Sequence, residues 1–79
     1  MITAYILVNV KPGKENILLE NVKKEEKNVK VLEGKFVYGE YDVIIKVEAE
    51  TLEDIRKFVL DRIRSLDFVE KTITLIAAD

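Results

Sequence analysis

Val37-Tyr38-Gly39-Glu40-Tyr41-Asp42-Val43-Ile44-Ile45-Lys46-Val47 is the stretch on which the reading of this sequence turns. One β-prone run enters a glycine and a nearly unbroken apolar run leaves it, the pattern of two strands joined at a turn. Gly39-Glu40 suits a tight two-residue type II′ hairpin, whose first position demands positive φ and so glycine. Asp42 then stands at the mouth of the outgoing strand, where a carboxylate must stay wet, pair, or hold a ligand.

Reading outward, Val29 to Tyr38 is the incoming strand, with a bulge expected at its isolated Gly34, and Tyr41 to Ala49 is the outgoing one. Upstream, Thr3 to Val10 splits at period two into Ala4, Ile6, Val8, Val10 and a mixed set of Thr3, Tyr5, Leu7, Asn9, which predicts a strand. Pro12-Gly13 ends it. Lys14 to Lys24 is expected to be helical, ending near Lys27-Asn28. The Ile17-Leu18-Leu19 run leaves its inward face open. Downstream, Thr51 is a good N-cap with Asp54 three residues on. Leu52, Ile55, Val59, Ile63 and Leu66 then recur at helical spacing, with Glu53 and Lys57 one turn apart outside. Val69 to Ala78 closes the chain as a fourth strand, Ile73, Leu75, Ala77 alternating with Thr72, Thr74, Ile76.

The order strand, helix, strand, strand, helix, strand is the split βαβ, ferredoxin-like α+β arrangement: a four-stranded antiparallel sheet with two helices on one face. The most apolar strand faces should meet the helices: Ala4, Ile6, Val8, Val10; Tyr41, Val43, Ile45, Val47; and Ile73, Leu75, Ala77. The opposite face would carry Tyr5, Leu7, Ile44 and Ile76 among Thr3, Asn9, Asp42, Lys46, Thr72 and Thr74. An uncovered antiparallel face normally reads polar. This one is mixed, so two copies are expected to close sheet to sheet as a symmetric dimer, an α+β sandwich or barrel.

Composition limits the rest. The 79 residues hold one domain and no His, Cys or Trp. A domain of this size is marginal alone, and without disulfides or a His-based metal centre its natural support is association. Net charge is −2, and Lys23, Lys24, Lys27 and Lys30 are interleaved with Glu20, Glu25 and Glu26, a solvated helix face instead of a nucleic-acid footprint. No apolar run reaches a membrane span, and Met1-Ile2-Thr3 leads directly into a strand, so a cytoplasmic protein is expected. The Lys- and Glu-rich charged set, with no Gln, Cys or Trp, points to heat adaptation. Catalytic signatures are missing: the single serine, Ser65, has no His partner and no thiol is present. The Gly34 to Gly39 spacing resembles a phosphate loop only superficially, with Glu40 where lysine is needed. The chain is read as a non-enzyme without cofactor or metal.

The remaining polar set is small: Gly39, Tyr41 and Asp42 at the hairpin, Thr72 and Thr74 on the last strand. Backbone near Gly39 is open to close approach, Asp42 is suited to a ligand ammonium, and threonine hydroxyls donate or accept. The plainer alternative is an Asp42–Lys46 pair and two threonines serving only as strand formers.

Gly39 to Val47, followed by Phe58-Val59-Leu60-Asp61-Arg62-Ile63 and Val69-Glu70-Lys71-Thr72-Ile73-Thr74-Leu75, resembles the effector-binding RAM domain of the Lrp/AsnC transcriptional regulators, over essentially the whole chain. The Gly-x-Tyr-Asp turn and the Thr-x-Thr strand, in this order, carry the likeness. The resemblance implies a domain that dimerises through its sheets, assembles dimers into rings, and binds amino acids or related small molecules between dimers. By position the binding residues would be Gly39, Tyr41, Asp42, Thr72 and Thr74. The family's N-terminal helix-turn-helix has no counterpart before the first strand, so a stand-alone effector domain over 1–79 is expected, not binding nucleic acid itself but acting on full-length relatives. Two other readings share the strand order: a small enzyme of the dimeric α+β barrel kind and a purely structural assembly module.

Overall fold

A computed structural model describes residues 1–24 and 26–78. It contains β1 (Ile2–Val10), α1 (Glu15–Val22), β2 (Val29–Phe36), β3 (Val43–Ala49), α2 (Leu52–Phe58), a π-helical run (Val59–Arg64) that continues α2, and β4 (Val69–Ile76). The sheet is antiparallel throughout in the order β2-β3-β1-β4, so β1 and β3 are central, as expected from the split βαβ pattern.

Alternation in β1 and β3 builds the core. Ala4, Ile6, Val8 and Val10, with Val43, Ile45, Val47 and Ala49, are buried beneath Leu18, Leu19 and Val22 of α1 and Ile55, Phe58, Val59 and Ile63 of the second helical segment. Each fully buried side chain such as Ile6, Leu18, Ile45 or Ile63 contributes about 1.5–3 kcal/mol relative to exposure. Ile17 is the exposed member of its run, and α1 ends at Val22, one turn earlier than expected. Lys23, Lys24, Lys27 and Lys30 are exposed. Glu25 lies outside the described residues.

The second helix starts where its cap predicts: the Thr51 side chain accepts the Asp54 amide at 3.1 Å. It departs from one apolar arc. Leu52, the first residue of the helix, is 56% exposed, while Phe58, which falls beside Ile55 on the helical wheel, is 2% exposed. Glu53 pairs with Arg56 instead of Lys57, through contacts of 2.6 and 3.1 Å, since a guanidinium fork grips both carboxylate oxygens.

The β2–β3 connection is longer than a two-residue hairpin. Val43 faces Phe36, and the Val37 amide donates to the Asp42 carbonyl at 2.9 Å. Tyr38 to Tyr41 therefore form a four-residue loop. Gly39 has φ +130°, the conformation that glycine supplies, with open space where a side chain would stand. The β2 bulge falls at Leu32, between the Val31–Val47 and Glu33–Lys46 pairs, not at Gly34. Gly34 lies instead beneath α1: a Cβ there would lie 2.8 Å from Leu19 Cδ2, so the end of the Leu19 side chain would have to shift to make room.

β4 is turned over relative to expectation. Thr72 faces Val8, Thr74 faces Ile6 and Ile76 faces Ala4, so these three share the helix side, while Ile73 and Leu75 join Leu7 and Tyr5 on the outer face. The apolarity of alternate residues misleads here because the outer face is itself apolar. A register shift, with Asn9 opposite Lys71 but Val10 opposite Val69, sets which set points inward. The outer face thus presents Ile44, Leu7 and Ile73 in one row, and Lys46, Tyr5 and Leu75 in the next.

Candidate functional site

Gly39, Tyr41 and Asp42 precede β3 at one end of the sheet, whereas Thr72 and Thr74 lie on β4, on the other side of β1, opposite Val8 and Ile6. Asp42 is locked to β1 twice: its amide donates to the Val8 carbonyl at 3.0 Å, and its Oδ2 accepts the Val10 amide at 3.0 Å. No donor among the described residues reaches its other carboxylate oxygen. Lys46 is not its partner, because the Lys46 ammonium lies 5.7 Å from the centre of the Tyr5 ring. One loop residue before, Glu40 offers its carbonyl to Asn9 Nδ2 at 3.0 Å. Tyr41 is half-buried, with Lys71 Nζ 5.7 Å from its ring centre. That cation–π contact spans from the loop to the residue next to Thr72.

Thr72 and Thr74 stand on the other side, on the helix face of the edge strand. They line a groove of about 520 Å³ with Leu52, Ile55, Arg56, Val59, Leu60, Arg64 and Ile76. Asp42 instead borders a separate depression of about 290 Å³ with Glu15, Asn16, Phe36, Val37 and Tyr38. Within one protomer, therefore, the threonines and Asp42 border two separate depressions.

Sequence reading passed over Asn9 and Arg64. Asn9 closes β1 on the outer face, and its Oδ1 is buried without a hydrogen-bond partner among the described residues. A polar residue ending an otherwise apolar strand was the available signal. Arg64 gave none, because its relation to Thr72 exists only once the helix is docked. Among the described residues no cluster of His, Cys, Asp and Glu is able to hold a metal ion, and no helix is long and apolar enough to cross a membrane.

Residues 3–79 match the family model described as the Lrp/AsnC ligand binding domain. The HTH-type transcriptional regulator FL11 of Pyrococcus horikoshii is 38% identical over 73 residues, covering 92% of this chain and 46% of the regulator. The chain spans about half the length of the curated relatives it matches. The crystal structure of FFRP-DM1 superimposes with a TM-score of 0.84 at 40% identity, covering 98% of this chain and 99% of that one. The hypothetical protein PHS023 from Pyrococcus horikoshii does so with a TM-score of 0.85 at 39% identity, covering 100% and 92%. This chain belongs to the Lrp/AsnC ligand-binding domains, a family of regulatory, non-enzymatic modules.

Proposed function

We propose that the chain is an oligomeric amino-acid sensor, its effector held by Gly39, Tyr41 and Asp42 of one protomer and Thr72 and Thr74 of another, and that it modulates full-length regulators of its family. The observation that carries this reading is the state of Asp42. One carboxylate oxygen is anchored by the Val10 amide, which orients the side chain, and the other has no donor among the described residues. An anchored carboxylate beside the side-chain-free backbone of Gly39 suits an α-ammonium, which supplies charge-assisted hydrogen bonds of about 1.5–3 kcal/mol. The separate depressions bordered by Asp42 and by the threonines support a ligand bridging protomers. The outer face of Tyr5, Leu7, Ile44, Ile73 and Leu75 is the natural dimer surface, and rings of such dimers would bring hairpins and β4 edges together. A thermal-shift screen of the amino acids tests the reading: an effector at about 100 times its dissociation constant should add about 2.7 kcal/mol of stability. No stabilisation by any amino acid would leave only assembly.

A further inference from the structure

The groove beside β4 has a composition unlike the rest of this acidic chain. Its lining has five apolar side chains, the hydroxyls of Thr72 and Thr74, and the guanidinium groups of Arg56 and Arg64, and no carboxylate. Arg56 is already gripped by Glu53 at 2.6 Å. The Arg64 side chain has no ion pair or hydrogen bond among the described residues, so its five donors are available where the groove adjoins Thr72 and a neighbouring depression that Glu70 and Lys71 line. Leu52, Leu60 and Ile76 are 56%, 38% and 45% exposed, leaving apolar surface that an occupant would cover. A volume of about 520 Å³ falls in the usual range for small-molecule sites.

We propose that this groove binds a small aliphatic monocarboxylate, with its carboxylate on Arg64, Thr72 and Thr74 and its hydrocarbon body along Leu52, Leu60 and Ile76. Guanidinium matches a carboxylate in charge and in planar geometry. The lining has no carboxylate to pair with an ammonium, and its two guanidinium groups repel one. The site therefore goes beyond the amino-acid reading: it is complete within one protomer and shares only the two threonines.

Amide chemical-shift titration of the full chain with isocaproate, isoamylamine and leucine tests the proposal. Isocaproate should shift the amides of Leu60, Arg64, Thr72 and Thr74, whereas isoamylamine, similar in hydrocarbon but cationic, should not. Arg64→Gln, at an exposed position where folding is not at stake, should weaken isocaproate about ten-fold or more, and Arg64→Lys should restore part of the loss. Lys57→Gln, an exposed cation on the same helix outside the groove, should leave binding unchanged. Absence of isocaproate shifts, equal response to isoamylamine, or wild-type affinity in Arg64→Gln would overturn the proposal. Leucine bound through Asp42 without any isocaproate effect would overturn it while upholding the amino-acid sensor. Isocaproate bound with no amino acid bound would do the reverse.

Discussion

The carboxylate of Asp42 holds the backbone amide of Val10 at 3.0 Å, across 32 residues of sequence. This contact joins the mouth of β3 to the end of β1, just where the β1–β4 register shifts. Asp42 is thus part of the scaffold and, through its second oxygen, a candidate for ligand contact.

The two roles separate by substitution. Asp42→Ala leaves the partly buried Val10 amide without its acceptor and should cost about 1–3 kcal/mol. Asp42→Asn keeps an oxygen in place and should cost less, about 1 kcal/mol, yet weaken an amino-acid effector about ten- to a hundred-fold. Urea denaturation measures the first effect and calorimetry the second. Equal effector affinity in wild type and Asp42→Asn would remove Asp42 from the ligand site.

Leu7 lies at the centre of the outer face, flanked by Ile44 on β3 and Ile73 on β4. Leu7→Glu puts a charge into that apolar row without touching the helix-side core. Wild type should scatter light as a dimer or larger at micromolar concentration, and Leu7→Glu should shift toward the 9.1 kDa monomer. A wild-type monomer at that concentration would rule out this surface as the assembly interface.

Local signals read well and long-range ones did not. Strict alternation in β1 identified Ala4, Ile6, Val8 and Val10 as core because one side is uniformly apolar. Thr51 was legible as a cap because its partner, Asp54, is three residues away. The inward face of β4 was not, because Ile73 and Leu75 are apolar for the outer surface, and pairing with β1 decides the face. Gly34 was noticed for the wrong reason: its partner Leu19 comes from α1, and no spacing reveals that approach. The candidate residues were legible as types, but their division between two sides of β1 depends on register and on the Val10–Asp42 contact.

Glu53 sets a small acid-side dependence. Its hydrogen bond to Arg56 holds the carboxyl below its ordinary value of 4.5, and Arg56 is correspondingly raised by Glu53. A carboxyl depressed in the folded state adds stability above its unfolded value, and that stability is lost as pH falls through the folded value. The pair is exposed, so the effect is small. The stability difference between wild type and Glu53→Gln, followed by thermal unfolding, should be constant above the carboxylate range and shrink below it. A difference that grows on acidification would contradict this assignment.

Arg62 fastens the π-helical run to the end of α1. Its Nη1 donates to the Asn21 and Lys24 carbonyls at 3.2 and 3.1 Å, and its Nη2 meets Glu26 at 3.3 Å. Asn21 returns a bond of 2.7 Å from Nδ2 to the Arg62 carbonyl. α1 has no basic residue in its last turn, and Arg62, from another element, adds a charged donor to the Asn21 carbonyl, which also accepts the Lys24 amide at 3.4 Å. The Arg62 side chain is only 20% exposed, which makes the contacts worth more than a surface pair but less than a fully buried one. Arg62→Ala should cost about 1–3 kcal/mol, since it strips those carbonyls and Glu26 of a charged donor. Arg62→Lys retains the charge but not the fork, so it should recover only part. Hydrogen exchange should show the loss concentrated in α1 and the π-helical run, with β1 and β3 amides affected only through global stability. Uniform loss across the sheet, or full recovery by lysine, would mean that the charge alone matters and that the fork is not what holds α1.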